Sequence, residues 1–570
     1  MKRSLAISLL VLLIVMVLGA CVPAEERFPY RWFRISRSLN NDSDVDEIAE
    51  VARTASEHGL NGMMLDASFS DIDGQPPEYF SRLDEVKRIC DGYGIETVPI
   101  FLSAGYGSGL SYDKNLAAGL PVKDALFVVQ GKRAVLRPDH DVEVVNSGFE
   151  SFQGEELKGY TSPTKLGEVA FGDREVFKEG RSSLRFENFA KFPRESGRLN
   201  QVVKVHPYRS YVLSCWMKAE GMDPPRPFSL GHIRFEVLGQ PDGRRLQWHD
   251  PEVPTDTDWI KVSVGFNSWG YEQVEFSIGA WTSENGRFWI DELQINEVGL
   301  VNVLRRPGTP IVVRGEKSGA VYEEGKDFAE IVDPGLNHRF DHEGPAIELL
   351  PNSGIRNGEQ LRVSWYHSMT LYQRQVSVCM SEPKLYEIWG KQVQLVAEKL
   401  APKKYFLSMD EIRAGGSCAA CKAKGMSMGE ILGECASKQY QMIKGVSPEA
   451  DVFIWSDMFD PHHNGQQEAG EFYYLVDGRF NDSWNHIPKE MIIGVWGRRV
   501  RTKSLEHFSG LGFKTIAAAY YDTEDLKDVD GWLEALEATP GGLGIMYTTW
   551  LDKYDLLPDF GDLISKRFDQ

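Results

Sequence analysis

The chain has 570 residues and a formal net charge of −20, with 63 lysines and arginines against 83 aspartates and glutamates. One hydrophobic core rarely organises such a length, so we expect two or three domains. The negative charge argues against nucleic acid or an anionic membrane surface as a partner. The 14 tryptophans, 21 tyrosines and 29 phenylalanines supply many ring faces, most of which will pack in cores.

Residues 1–21 are typical of a bacterial export signal. Lys2 and Arg3 precede an apolar run at 5–18, which is short for a membrane span. The sequence Leu-Gly-Ala-Cys at 18–21 resembles a lipobox, which implies cleavage before Cys21 and attachment of lipid to its thiol. We therefore expect an exported lipoprotein, periplasmic or at the cell surface, that touches the membrane only through its lipid anchor. An ordinary signal peptide is the alternative.

Residues 27–140 alternate between strands and helices. Apolar runs at 32–37, 62–66 and 97–102 are predicted strands, and amphipathic helices are predicted after the first two. Successive strand–helix units favour a parallel sheet with helices packed on it. We interpret this region as the first part of a barrel.

Residues 141–298 lack a helical period and contain short alternating segments between turns, which is typical of a β-sandwich. Asn-Ser-Gly-Phe-Glu at 146–150, Ser-Ser-Leu-Arg at 182–185 and Trp-Ile-Asp-Glu-Leu at 289–293 resemble jelly-roll carbohydrate-binding modules of xylanases and laminarinases. The resemblance implies a glycan ligand, and a sandwich that only spaces or joins domains is the alternative. Residues 299–370 add further β-type segments that connect back to the barrel.

The alternation resumes over residues 371–570. A predicted helix at about 384–400 leads to strands at 405–411, 452–457, 491–496, 515–521 and 544–550. Together with the three earlier strands this makes eight. The predicted fold class is therefore α/β, a (β/α)8 TIM barrel interrupted after strand 3 by an all-β jelly-roll sandwich.

Charged and aromatic residues follow the ends of the predicted barrel strands, where the active sites of such barrels lie. Aromatic faces stack on sugar rings, and carboxylates bind their hydroxyls. A carboxyl next to another carboxylate can also retain the proton that cleavage of a glycosidic bond requires, although such a pair can simply cap a helix. The candidate site residues, in strand order, are Arg37, Asp410, Glu411, Trp455, Asp457, Trp496, Tyr520, Asp522, Trp550 and Asp552.

The order of these motifs resembles the family 20 glycoside hydrolases, the β-N-acetylhexosaminidases. The matching steps are Ser36-Arg37, Asp410-Glu411, Tyr520-Tyr-Asp522 and Trp550-Leu-Asp552, whereas the family's His-x-Gly-Gly lead into the acidic pair is Phe-Leu-Ser-Met at 406–409. The resemblance implies that Glu411 is the general acid/base and that Asp410 orients a 2-acetamido group. The carbonyl oxygen of that group would attack the anomeric carbon, held by Tyr520.

The same resemblance implies that Arg37 and Asp552 bind sugar hydroxyls and that Trp496 and Trp550 line the pocket. No metal or cofactor is required. The expected function is a retaining, substrate-assisted glycosidase acting on an oligosaccharide or polysaccharide. Two alternatives stay open: a glycosidase for a sugar without an acetamido group, using Asp457 or Asp522 as second carboxylate, and a non-catalytic, lipid-anchored glycan-binding protein.

Cys418-Ala-Ala-Cys421, with Cys435 beyond it, forms a separate motif. In an exported protein a local disulfide, or a strained pair of thiols, is the favoured interpretation. A metal site completed by His462 or His463 is the alternative. The glycine-rich segment at 105–109 lacks the Gly-Lys-Ser/Thr of a phosphate loop, so nucleotide binding is not expected.

Overall fold

The computed structural model describes residues 27–153, 156–161, 166–191, 197–224, 232–281, 283–466 and 473–568. The predicted export signal and Cys21 lie outside these residues, so the lipid anchor stays a prediction. None of the helices in the described ranges is both long and apolar enough to cross a bilayer.

Eight parallel strands close into one barrel, as the alternation of strands and helices predicts. In order around the barrel they are β1 (Tyr30–Ser36), β2 (Gly62–Asp66), β3 (Glu96–Phe101), β4 (Lys404–Leu407), β5 (Asp451–Trp455), β6 (Ile492–Val495), β7 (Lys514–Tyr520) and β8 (Gly542–Thr548). Closure comes from β1, which pairs with both β2 and β8.

Large rings fill the barrel interior because two glycines make room for them. A Cβ at Gly62 would lie 2.4 Å from the Trp32 ring, and one at Gly494 would lie 2.6 Å from the Phe406 ring. Trp32 and Phe406 are both buried and pack against Phe453. The interior is thus a packed core rather than a channel, which leaves the strand ends as the place for a site.

Helices surround the barrel: α1 (Asp42–Glu57), α2 (Pro77–Tyr93), α3 (Pro383–Leu400), α4 (Ala419–Ala423), α5 (Met428–Val446), α6 (Arg501–Gly510), α7 (Lys527–Ala538) and α8 (Leu557–Phe568). Capping boxes fix two of the starts, with Asn41 before α1 and Ser427 before α5. In α1 the apolar positions recur at helical spacing, and Val45, Ile48 and Ala52 are buried.

Between β3 and β4 in the sequence the chain forms antiparallel sheets. One sheet has the order Arg198–Lys204, Gln273–Ala280, Ile233–Gly239, Arg244–His249, and the other has the order Thr257–Asn267, Ser210–Glu220, Arg287–Glu297, Ser183–Phe186, Ala170–Asp173. Alternate residues of both sheets, such as Phe276 and Met217, contribute to one buried cluster. The two sheets therefore pack as a sandwich, as the short alternating segments indicate.

A third sheet has six strands, in the order Val321–Tyr322, Val312–Gly315, Gln360–His367, Leu120–Gln130, Arg133–Leu136, Ile347–Glu348. It has a core of its own that includes Phe127 and Trp365. Residues 120–136, which we assigned to the first part of the barrel, thus pair with strands that follow the sandwich in sequence. Their pattern predicts strands, but only the tertiary pairing decides to which sheet they belong.

The sandwich contacts the barrel through Arg244. Its Nε donates a hydrogen bond of 2.8 Å to the carbonyl oxygen of Tyr474, and its Nη2 donates one of 2.7 Å to that of Val476. Both carbonyls belong to the loop that follows β5. This contact brings the sandwich to the end of the barrel at which the candidate residues lie.

Candidate active site

A cavity of about 600 Å³ opens at the C-terminal ends of the barrel strands. This volume lies within the range of small-molecule sites. Of its fourteen lining residues, six are aromatic and four are charged. They include the carboxyls of three residues, one arginine, three tryptophans and two tyrosines: Asp66, Asp410, Glu411, Arg34, Trp455, Trp496, Trp550, Tyr106 and Tyr372.

Asp410 and Glu411 are adjacent in sequence, yet both side chains reach this cavity. Consecutive residues of an extended chain point to opposite sides. Glu411 departs from extended geometry, with a φ of +48° in the left-handed region. Because the backbone is not extended at Glu411, just after β4, the carboxyls of Asp410 and Glu411 both lie in the cavity.

Asp410 lies in surroundings that favour its protonated form. Burial, followed by the negative charges of Asp457 and Glu411, raises the pKa of its carboxyl to about 8. Ser408 Oγ donates a hydrogen bond of 3.0 Å to its Oδ1. Asp410 is therefore mostly protonated at neutral pH and can donate a proton into the cavity.

Glu411 has a cation as its neighbour instead. Arg413 Nη2 lies 2.9 Å from its Oε2, and the Tyr106 hydroxyl donates to the same oxygen. Arg413 itself is buried, donates to Gln375 Oε1 and lies over the Tyr372 ring, with 4.5 Å from Cζ to the ring centroid. The Asp410 carboxyl thus faces negative charges, whereas the Glu411 carboxylate next to it is paired with a positive charge.

Asp457 lies behind the cavity wall rather than on it. Its fully buried carboxylate accepts hydrogen bonds from the Glu411 backbone N–H (3.0 Å), Asn464 Nδ2 (2.9 Å) and Trp496 Nε1 (3.3 Å). Burial is the largest of the causes that raise its pKa to about 7. Asp457 therefore holds the Glu411 backbone and the Trp496 indole in place and is not among the residues that line the cavity.

The predicted residues at the end of β7, Tyr520 and Asp522, lie outside the cavity lining. Tyr520 is buried and stacks on Tyr547 with ring centroids 4.2 Å apart, so it does not line the cavity. Asp522 accepts hydrogen bonds from Thr549 Oγ1, from the Trp550 N–H (2.8 Å) and from the Leu551 N–H (3.4 Å). Its carboxylate is engaged in fixing the turn that carries Trp550.

Arg37 and Asp552 bind each other instead of facing the cavity. Their ion pair measures 3.0 Å, and Arg37 also pairs with Glu47 at 2.6 Å. The arginine that lines the cavity is Arg34, which lies 4.6 Å over the Trp550 ring and donates to the Thr549 carbonyl at 3.0 Å.

Of the ten candidate residues, five line the cavity: Asp410, Glu411, Trp455, Trp496 and Trp550. Sequence reasoning missed Arg34, Asp66, Tyr106 and Tyr372. Asp66 ends β2, so the rule that identified Asp410 could have found it. Tyr106 lies in the glycine-rich segment after β3, and no pattern in the sequence singles out Tyr372.

The disulfide that the Cys418-Ala-Ala-Cys421 spacing favours is not formed. The two sulfur atoms lie 3.6 Å apart, whereas a disulfide requires about 2.05 Å. Cys435 is buried outside this group. His463 packs against the Trp496 ring instead, with 4.5 Å between ring centroids.

No protein-family model matches the sequence, and a comparison with curated proteins finds no match. Among solved structures, a rhamnosidase from Novosphingobium sp. PP1Y is similar over 92% of this chain, with 10% identity and a TM-score of 0.33. The matching part is 55% of the rhamnosidase, so this chain spans about half of that protein's length.

Two carbohydrate-binding modules are similar to a smaller part of the chain. The CBM22-1 xylan-binding domain of Xyn10C from Paenibacillus barcinonensis matches over 26% of this chain and 91% of its own length, with 18% identity and a TM-score of 0.20. TmCBM61, solved in complex with β-1,4-galactotriose, matches over 28% of this chain and 99% of its own length, with 14% identity and a TM-score of 0.21. At these levels the comparisons assign the chain to no family.

Proposed function

We propose that this protein is a glycoside hydrolase whose active site is the cavity at the C-terminal end of the barrel. The observation that carries the proposal is the Asp410–Glu411 pair, two adjacent carboxyls in one cavity with opposite electrostatic surroundings. Cleavage of a glycosidic bond requires one carboxyl that donates a proton and another that acts as a charged group. The raised pKa of Asp410 and the Arg413 partner of Glu411 suit this division.

The division of roles favours Asp410 as proton donor in the ligand-free protein. The resemblance to family 20 enzymes implies the reverse assignment, with Glu411 as acid and Asp410 as the group that orients an acetamido substituent. Both assignments make the pair essential. They differ in which residue sets the loss of activity at alkaline pH, since only a proton donor must be protonated.

The aromatic walls support a glycan substrate. Trp496 and Trp550 offer indole faces, the buried Trp455 packs behind Trp550, and Tyr106 and Tyr372 add phenol rings on the same cavity. Flat rings stack on the apolar faces of sugars, while Arg34 and Asp66 are suited to bind hydroxyls.

A substrate-assisted route needs a donor for the acetamido oxygen, and the resemblance assigns this task to Tyr520. Its stacking on Tyr547 outside the cavity lining argues against that role. For an acetamido sugar we propose Tyr106 or Tyr372 as the donor. For a sugar with a 2-hydroxyl group, Asp410 and Glu411 supply the two carboxyls, and Asp66, the remaining carboxyl residue of the lining, replaces Asp457 and Asp522 as the alternative to one of them.

The sandwich is proposed as a jelly-roll, carbohydrate-binding unit inserted after β3. Its Trp248 packs edge-on against Tyr372 of the cavity wall, with 5.4 Å between ring centroids. A glycan held by the sandwich would therefore lie close to the site. The lipid anchor at Cys21 would keep the enzyme at the cell envelope.

A screen of chromogenic glycosides, with and without a 2-acetamido group, tests the proposal. The wild type should release the chromophore, and Glu411→Gln and Asp410→Asn should remove turnover while glycan affinity stays within a few fold. The rival function, glycan binding without catalysis, predicts no turnover by the wild type on any glycoside and variants that differ only in affinity.

A further inference from the structure

Three buried cysteines from two separate segments meet next to the loop that carries Glu411. Cys379 Sγ lies 3.5 Å from Cys418 Sγ and 3.6 Å from Cys421 Sγ, and the latter two are 3.6 Å apart. Each side chain is at most 5% exposed. The three sulfur atoms thus form a nearly equilateral triangle.

We propose that this triangle is a structural zinc site. A tetrahedral zinc ion with Zn–S bonds of about 2.3 Å holds its sulfur ligands about 3.8 Å apart, which is close to the observed separations. The spacing of Cys418 and Cys421 around the first turn of α4 is also usual for zinc ligands. A disulfide would join two of the sulfurs and leave the third buried without a bond.

The residues around the triangle suit a metal with thiolate ligands. Arg306 Nη1 lies 3.9 Å from Cys418 Sγ, and the guanidinium is itself fixed by Glu382 and by the Asn115 carbonyl at 2.7 Å. Zinc with three thiolates carries one net negative charge, and Arg306, which also pairs with Glu382, places a buried N–H donor beside one of the thiolates. Such outer partners orient the ligands of metal sites.

One position of the tetrahedron remains for a further ligand. Ser381 follows Cys379 by two residues, and its buried hydroxyl lies next to the Cys421 thiol. This hydroxyl or a solvent molecule completes the coordination. Binding of the ion releases the protons of the three thiols.

The ion would join the two segments that hold the candidate acid pair in place. Gln375 Nε2 donates to the Glu411 carbonyl at 2.9 Å, and Ser377 Oγ accepts from the Arg413 N–H at 3.3 Å. Residues 375–379 therefore pack along residues 411–421 and hold them in place. The three cysteines lie where the two segments end, at residues 379, 418 and 421. The proposed zinc site does not depend on the proposed glycosidase activity, because the ion would stabilise the loop and take no part in the reaction.

Elemental analysis of the purified protein tests the proposal. We expect about one zinc ion per chain in the wild type, and a more than tenfold lower content in Cys379→Ser and Cys418→Ser. Cys435→Ser is the matched control, since Cys435 is equally buried but outside the triangle, and it should retain the metal.

Cobalt replacement keeps the test decisive if the serine variants fail to fold. Cobalt bound to the wild type should give the thiolate-to-metal charge-transfer absorption of a tetrahedral sulfur site. Wild-type protein that contains three free thiols and takes up neither zinc nor cobalt would overturn the proposal. A disulfide between two of these cysteines, detected in unreduced peptides, would overturn it as well.

Discussion

At the scale of single residues, Asp410 departs furthest from the behaviour of a surface aspartate. Its carboxyl is desolvated and faces two further carboxyls, and its pKa is raised to about 8 from the usual 3.8 of an aspartate. At a pH between 3.8 and about 8, Asp410 is protonated in the folded protein and ionised in the unfolded chain, so the folded protein binds more protons. The free energy of unfolding therefore falls as the pH rises through this range, and the loss is complete above the folded-state pKa.

Replacement of Asp410 by asparagine should remove this loss. An amide does not ionise, so we expect Asp410→Asn to exceed the wild type in stability at pH 9 by on the order of a few kcal/mol, with a much smaller difference at pH 4. Thermal unfolding at the two pH values measures the effect, with Asp552→Asn at the rim as control. A difference of the same size at both pH values would contradict the raised pKa.

Arg413 should be needed for activity without contacting substrate. Arg413→Lys keeps the charge but not the fork that reaches Glu411 and Gln375 together. We expect kcat to fall at least tenfold with little change in KM. Arg413→Met leaves Glu411 without its cation and should lower the free energy of unfolding by about 3–5 kcal/mol.

Steady-state kinetics and denaturant unfolding measure both effects. Arg287→Lys is the control, because that arginine forms an exposed ion pair on the sandwich. Normal kinetics in Arg413→Met would show that Glu411 does not depend on this cation.

At the scale of elements, the sequence identifies the barrel strands well because a buried parallel strand is a continuous apolar run ending at polar residues. The direction of the side chains after each strand is not encoded in this pattern. Tyr520, Tyr521 and Asp522 all have left-handed φ values, of 91°, 61° and 59°. They turn Tyr520 towards Tyr547 and Asp522 towards the backbone of the next strand end.

The same limit applies to residues that reach the cavity from loops. Tyr106 and Tyr372 line it from segments with no helix or strand period. Only the packing of distant segments brings them to Asp410. Aromatic residues at strand ends could therefore be predicted, and the loop tyrosines could not.

The turn after β8 gives a prediction about two aspartates that look alike in sequence. Asp522→Ala removes the acceptor of the Trp550 N–H and should lower the free energy of unfolding by about 1–3 kcal/mol. It should also raise KM, because Trp550 loses its support. Asp552→Ala breaks an ion pair with a half-exposed carboxylate and should cost less than about 1 kcal/mol. Urea unfolding and KM measurements compare the variants, and equal effects would contradict the assignment of Asp522 as support.

At the scale of the whole molecule, the sandwich should depend on Arg244 for its contact with the barrel. Arg244→Ala removes hydrogen bonds to the Tyr474 and Val476 carbonyls. We expect faster proteolysis between the sandwich and the barrel and a loss of about 1–3 kcal/mol in stability. Limited proteolysis measures this, with Arg287→Ala as an exposed control. Unchanged cleavage would mean that other contacts hold the sandwich.

The central claim is that Asp410 and Glu411 together cleave a glycosidic bond, and kcat/KM from pH 5 to pH 10 tests it most directly. The wild type should hydrolyse a glycoside found in the screen, with kcat/KM falling above about pH 8 as Asp410 loses its proton. Asp410→Asn and Glu411→Gln should each lose at least about 100-fold in kcat/KM while still binding the glycan. A wild type that binds glycans but hydrolyses none, or a variant of either residue that retains the wild-type rate, would contradict the claim.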